Sequence, residues 1–303
     1  MPGRPAPLRI GQRTFVWGLR TYVVGILNVT PDSFSGDGLL ARATKDRLVE
    51  VAVAEARRLV AEGADIIDVG GESTRPGHAP IPEAEEIRRV VPVVAAVRAA
   101  LPDTPLSIDT TKPEVAEAAL DAGADLVNDV WGTRPDERLL ALVAERRVPL
   151  VLMHNRSEAR YTNLLAEVVA ELEGAIERAV AAGIDPEAIV VDPGFGFGKT
   201  PVQNLVLLRR LDLLRVLGRP ILVGTSRKST LGRVLDLPPD ERLEATIATT
   251  ALAIAAGVDL VRVHDVAANV RAARMSDAVV RGALLGSLRT AGAGGPRGRG
   301  GTR

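Results

Sequence analysis

The sequence predicts a (β/α)8 TIM barrel, and three observations carry that expectation. Eight short apolar runs rich in Val, Ile and Leu alternate with longer Ala/Leu/Arg/Glu-rich segments. Continuous apolar runs of this length suit strands buried on both faces of a parallel sheet. The joins also repeat: "AEGADIIDV", "DAGADLVND", "AAGIDPEAIVVD" and "AAGVDLVRV" each place a glycine after a helical segment and an aspartate near the next strand. Glycine there ends a helix in the left-handed conformation, and the same join made repeatedly implies one stacked β-then-α unit. Finally, no Gly-x-Gly-x-x-Gly follows an early strand, which turns the reading away from an open dinucleotide-binding sheet.

Taken in order, the strands read as 21–28, 65–69, 105–109, 125–129, 148–154, 188–192, 220–224 and 259–264. The helices between them read as about 43–62, 83–100, 113–122, 135–146, 163–182, 202–217, 240–256 and 266–288. Pro113 after "TK" and "TPVQN" at 200–204 are helix-start signals. Long loops rich in Gly, Pro, Ser, Thr and Asp follow the first strand ("NVTPDSFSGDGLLARAT") and the second ("GGESTRPGHAPIPEAEE"). Loops of that composition over a polar mouth suit a cover that excludes water. The chain divides into an N-terminal extension, 1–20, a barrel, 21–288, and a tail, 289–303. The extension reads as a short hairpin closing the barrel base. The Gly/Arg-rich tail has too little apolar content to fold.

Composition bounds the function. A chain of 303 residues, 46% hydrophobic, can bury a large core, and a formal net charge of zero gives no footprint for nucleic acid or membrane. With no cysteine, disulfides and thiolate metal sites are excluded. No apolar run is long enough to span a bilayer and the first residues lack a signal-peptide pattern, so a cytoplasmic protein is expected. Among 38 Lys and Arg, only Lys45, Lys112, Lys199 and Lys228 are lysine. The imbalance reads first as a genome that favours arginine; its corollary is that a retained lysine can sit where a planar fork that never loses its proton would not substitute.

In such barrels chemistry sits at the C-terminal ends of the strands. Those ends read Asn28, Asp68, Asp109, Asn128, His154, Asp192, then "GTSRKS", then Arg262 and His264. Asp109, Asn128 and Asp192 can converge on a flat, nitrogen-rich ligand, because carboxylates accept paired N–H bonds and an amide both donates and accepts. Lys228, Arg262 and His264, with Asn28 from the neighbouring first strand, could hold a diphosphate and Mg²⁺, which takes oxygen ligands. His154 reads as structural.

The strand-end segments "GILNVTPDSFS", "DVGGESTRPG", "SIDTTKPEVAEAAL", "LVNDVWG", "LMH", "DPGFGFGKT", "VGTSRKS" and "RVHDV" together resemble the dihydropteroate synthase family, in that family's order, from about Gly25 to Val266. The sequence departs from the family's pattern slightly at "SFSGDG" and "LMHNR". The resemblance implies condensation of 6-hydroxymethyl-7,8-dihydropterin diphosphate with 4-aminobenzoate on the way to folate, with Mg²⁺ as cofactor and a homodimer. It implies pterin contacts from Asp109, Asn128, Asp192, Lys228, Met153 and Gly224, and diphosphate contacts from Asn28, Arg75, Arg262 and His264, with Asn28 at the metal. It implies aminobenzoate contacts from Thr74, Arg75, Pro76, Phe197 and Ser229. Asp32 would face the reacting carbon, and Asp32, Lys228, Arg262 and His264 form the catalytic set. A pterin- or folate-dependent methyltransferase on a similar barrel is the alternative.

"DPGFGFGKT" ends like a phosphate-binding P-loop, but that loop needs a glycine where Pro193 stands. It reads instead as a glycine turn presenting Asp192 and Phe197, with Lys199 left without a role.

Overall fold

The computed structural model describes residues 4–30, 47–73 and 80–282. Asp32, Thr74, Arg75, Pro76 and the tail fall outside those residues. The described chain opens with a hairpin, β1 (Leu8–Ile10) antiparallel to β2 (Arg13–Phe15). Eight parallel strands follow: β3 (Tyr22–Asn28), β4 (Ile66–Gly70), β5 (Leu106–Asp109), β6 (Leu126–Asp129), β7 (Leu150–Met153), β8 (Ile189–Asp192), β9 (Leu222–Val223) and β10 (Leu260–Val263). Their order is β8-β7-β6-β5-β4-β3-β10-β9, and a bridge from Val191 to Ile221 joins the two edges into a barrel. The principal helices are α1 (Leu48–Ala61), α2 (Glu83–Ala100), α3 (Pro113–Asp121), α4 (Glu137–Arg146), α5 (Leu164–Ala181), α6 (Pro201–Arg209), α7 (Ser229–Leu235), α8 (Leu243–Ala255) and α9 (Val266–Val280).

The repeated joins have a physical basis. Gly63, Gly123, Gly183 and Gly257 all take positive φ at the ends of their helices, where a side chain would be strained. The aspartate two residues on then closes the barrel's lower rim. Asp65, Asp125 and Asp259 accept the backbone N–H of Val23, Leu106 and Ile221, each on the neighbouring strand. Asp185 instead caps a short 3₁₀ turn through Glu187 N. Helix starts are capped from their own sequence: Asp136 for α4, Asn163 for α5, and a Thr200–Gln203 capping box for α6.

Strand pleating sorts the interior into layers. Leu126, Val190, Ile66 and Leu260, from alternate strands, form an apolar floor. Val24, Ser107, Val151 and Leu222 come from the intervening strands. Two residues beyond the floor on the same four strands stand Asp68, Asn128, Asp192 and Arg262. Side chains of equal parity face the same side of a strand, so the polar layer stacks directly on the apolar one. Beneath the floor, Leu8, Ile10, Phe15 and Trp17 pack into the same cluster. The rings of Phe15 and Tyr22 lie 4.7 Å apart, and Tyr22 Oη accepts from Val16 N. The hairpin therefore closes the N-terminal end of the barrel.

Three elements differ from the sequence expectation, the first being the helix expected over 266–288, which ends at Val280 with Arg281 as its C-cap. The seventh barrel strand, β9, is only two residues, because Pro220 has no N–H to donate and the chain leaves the ladder at Gly224. The helix expected over 202–217 stops at Arg209 and continues as a 3₁₀ stretch, Leu211–Leu217. Its buried leucines, Leu211 and Leu214, are three apart, the spacing that aligns in a 3₁₀ turn.

Candidate active site

A cavity of about 540 Å³ opens at the C-terminal mouth, beside the polar layer. Asp109 lies in it, with Glu72, Ser73, Pro80, Phe197 and Lys199 among its walls. Asp109, Asn128 and Asp192 are all buried. Asn28 and Asp109 flank Gly70: a Cβ there would make ordinary contact, 3.8 Å, with both Asn28 Oδ1 and Asp109 Oδ2.

Arg262 ties the layer together. Its Nε donates to Asp68 Oδ2 at 2.6 Å and its Nη2 to Asp109 Oδ2 at 2.7 Å. Asp68 Oδ2 also accepts from Asn128 Nδ2 at 3.3 Å. The sequence placed Arg262 at the diphosphate end; in the structure its fork turns inward, leaving the Nη1 edge for a ligand. Asp68 Oδ1 and Asp109 Oδ1 are buried with no hydrogen-bond partner among the described residues. Leaving such atoms unpaired costs about 1–3 kcal/mol each, so they are natural acceptors for ligand N–H groups. Burial pushes Asp109 up to about 7 against the pull of Arg262, and burial likewise raises Asp192 against Lys228.

Lys228 N-caps α7 and reaches back across the site. Its Nζ donates to Phe195 O and lies 4.4 Å from the centre of the Phe197 ring, a cation–π contact. Burial draws it down to about 8, opposed by Asp192. The preceding residue, Arg227, holds φ +57 and is fixed by a bidentate pair with Asp265. His264 Nδ1 lies 2.9 Å from Ser226 Oγ, tying the loop after β9 to the one after β10. Met153 ends β7 and is buried; Gly224 is buried beside Arg262, where a Cβ would meet Arg262 Cβ at 3.6 Å. Ser229 opens α7 and is exposed.

The turn after β8 is shaped by two clashes avoided. A Cβ on Gly194, at φ +68, would lie 1.8 Å from His154 O, and one on Gly196, at φ +85, would lie 2.8 Å from Lys228 Cδ. Lys199, left without a role by the sequence, holds this turn. Its Nζ meets Gly194 O at 3.1 Å, Phe197 O at 3.0 Å and His154 Nδ1 at 2.9 Å. Burial draws Lys199 down to about 7, and burial with Lys199 nearby draws His154 down to about 3. His154 is thus a neutral acceptor outside the mouth. Its Nε2 approaches Glu171 Oε2 at 3.2 Å without hydrogen-bond alignment.

Sequence reasoning missed Asp68 as a partner of Arg262, and it gave no role to Lys112, Glu72 or Glu86. The scarcity of lysine was the available signal. Each described lysine, 112, 199 and 228, borders this mouth with its ammonium engaged.

Residues 24–264 match the family described as "Pterin binding enzyme". A Clostridium beijerinckii dihydropteroate synthase is 49% identical over 275 residues, covering 90% of this chain and 100% of that protein. Among solved structures, a Clostridium difficile dihydropteroate synthase determined in the presence of pteroic acid aligns with TM-score 0.83 at 49% identity, covering 88% of this chain and 99% of that one. A Xanthomonas albilineans dihydropteroate synthase with 4-aminobenzoic acid aligns with TM-score 0.83 at 45% identity, covering 91% and 98%.

Proposed function

The chain belongs to the pterin-binding enzymes, in the dihydropteroate synthase family, and from that premise we propose how its mouth joins 4-aminobenzoate to 6-hydroxymethyl-7,8-dihydropterin diphosphate. The observation that carries the assignment of roles is the pairing, in one cavity, of buried Asp109 with the Phe197 wall.

The pterin ring lies on the polar layer. Its amino and ring N–H groups donate to Asp109 and Asp192, and Asn128 supplies both a donor and an acceptor. Met153 and Gly224 flank the ring, and Lys228 stands between it and the aminobenzoate. The arylamine lies against Phe197 and the start of α7 at Ser229, with Thr74, Arg75 and Pro76 as its further contacts. The diphosphate takes Arg262, His264, Asn28 and Arg75.

The C–O bond to the diphosphate breaks, and its electron pair leaves with the diphosphate. Positive charge left on the methylene carbon is spread into the pterin and faced by the Asp32 carboxylate. The neutral aniline nitrogen attacks that carbon and loses one proton, giving 7,8-dihydropteroate. This needs no activated nucleophile, consistent with a mouth built from carboxylates, amides and cations.

Mg²⁺ fits the donor set as a passenger of the diphosphate. Among the described residues no three His, Cys, Asp or Glu side chains group as a metal site, and Asn28 offers one neutral oxygen. Such an ion takes most of its ligands from phosphate and water. When bound, it would neutralise the leaving group's charge. A homodimer is supported by an apolar face on two packed helices, with Leu252 on α8 and Met275 and Val279 on α9 at 59%, 65% and 72% exposure. Among the described residues no helix is long and apolar enough to cross a membrane; a cytoplasmic setting is the reading we adopt with the small-molecule substrates. The relatives named above are synthases, which turns the choice away from the methyltransferase.

The test is incubation with the pterin diphosphate, 4-aminobenzoate and Mg²⁺. Diphosphate release with formation of dihydropteroate is expected when both substrates are present; no release with both present, or release with no arylamine consumed, would sink the reading.

A further inference from the structure

We propose that Lys112 is a positioning residue for the aminobenzoate side of the site, acting through Glu72 and the chain at Ile81. The inference rests on the synthase reading above. Lys112 touches no part of the proposed pterin pocket. It is the residue before α3.

All three ammonium protons of Lys112 are engaged. It donates to Glu72, to Glu86 Oε2 at 2.6 Å and to Ile81 O at 2.9 Å. Ile81 N in turn approaches the same Glu72 oxygen at 3.4 Å. Glu72 and Ile81 bracket the long loop after β4, so one side chain holds both the point where the chain departs and the point where it returns. The third contact fixes this pair to the scaffold. Glu86 is 1% exposed on α2, and the chain at Gly71 passes so close that a Cβ there would lie 2.5 Å from Val90 Cγ1. Arg89 secures the same passage through Gly71 O at 3.0 Å.

Glu72, Ser73 and Pro80 line the cavity that Phe197 also lines. Lys112 therefore sets one wall of the aminobenzoate space, and Lys199 sets another through the turn at Phe197. Three acceptors around one nitrogen suit a compact ammonium. A guanidinium places its donors in one plane and cannot reproduce this. That accounts for a lysine here in an arginine-rich chain.

The chain has no cysteine, so Lys112→Cys introduces a unique thiol. Alkylation with 2-bromoethylamine restores an ammonium at nearly the native length, and iodoacetamide gives a neutral control. Loss of the charged contacts should raise KM for 4-aminobenzoate about tenfold, with KM for the pterin diphosphate within about twofold. Aminoethylation should restore the wild-type KM and iodoacetamide should not. Glu72→Gln, which keeps the shape and weakens the same contact, should shift KM the same way and serves if Lys112→Cys does not fold. A wild-type chain that turns over while both variants keep the wild-type KM overturns the positioning role alone. Equal shifts in both substrates' KM overturn it too, as does failure of aminoethylation to restore the native value. A wild-type chain that releases no diphosphate overturns the synthase reading, and the role falls with it.

Discussion

Arg262 and Asp68 meet at 2.6 Å across the barrel interior, from strands 194 positions apart, and Asp68 is 1% exposed. Without Asp68, Arg262 keeps its bond to Asp109 but loses one of its two carboxylates. Asp68→Ala should therefore lower stability by about 1–3 kcal/mol, seen as a fall in the denaturant midpoint. Asp68→Asn should fold, because the amide keeps the shape, but it should bind pterin more weakly because Arg262 loses one of its two charged anchors. Unchanged pterin affinity in Asp68→Asn would refute that coupling.

Pterin binding should have a bell-shaped pH dependence. Its N–H groups need Asp109 ionised, and burial has pushed that group up to about 7, so affinity should rise as pH climbs through that value. Lys228, drawn down to about 8, loses its charge above that, so affinity for the diphosphate-bearing substrate should fall. Titration calorimetry across pH 6–9 checks both limbs, at about those two midpoints. Lys228→Met should weaken binding and erase the alkaline limb.

Lys199 should leave a mark on stability. Folding holds it near 7, below the 10.5 of an open chain. Between those values the unfolded chain binds the extra proton, so stability should rise with pH across the window. The slope of one such group is at most about 1.4 kcal/mol per pH unit. Lys228 adds to it in the same direction. Lys199→Met should flatten the curve between pH 7 and 9.5, read by urea titration, and should weaken 4-aminobenzoate binding by loosening Phe197. An unaltered slope would show that Lys199 is not buried in solution.

Gly194→Ala should fail to accumulate as native protein. The added carbon would meet His154 O at 1.8 Å, at a φ that L-residues avoid. A backbone shift there is expected to cost about 3 kcal/mol or more, measurable as a lowered melting temperature in any soluble fraction.

The apolar face on α8 and α9 predicts association. Val279→Glu with Met275→Glu should convert a dimer to a monomer in light scattering while leaving the monomer's fold intact by circular dichroism. A wild-type chain that is monomeric at micromolar concentration would refute the dimer.

The sequence made the strands legible because a two-sided burial demands β-branched runs, and their ends could be placed within about two residues. The four glycine joins were visible, and their positive φ angles follow from the same physics. Asp109, Asn128 and Asp192 were legible because strand parity alone turns all three toward the barrel interior. The partnership of Arg262 with Asp68 was not, since no local signal links residues on strands so far apart in sequence. The same holds for Lys112, whose partners Glu72, Ile81 and Glu86 lie 26 to 40 positions away, and for the contact of Lys199 with His154, 45 positions away. Asp32, Thr74, Arg75 and Pro76 rest on resemblance, because the described residues do not include them.

The corked base has one more consequence. Leu8, Ile10, Phe15 and Trp17 seal the end opposite the mouth, so the barrel is a blind well with a single doorway. On the placement proposed above, pterin on Asp109 and Asp192 and arylamine beside Phe197, traffic through that doorway would be last in, first out. A molecule parked at the outer berth imprisons whatever lies beneath it. An inhibitor aimed there should gain residence time from a tenant already below, and a surplus of arylamine arriving first should slow the enzyme instead of speeding it.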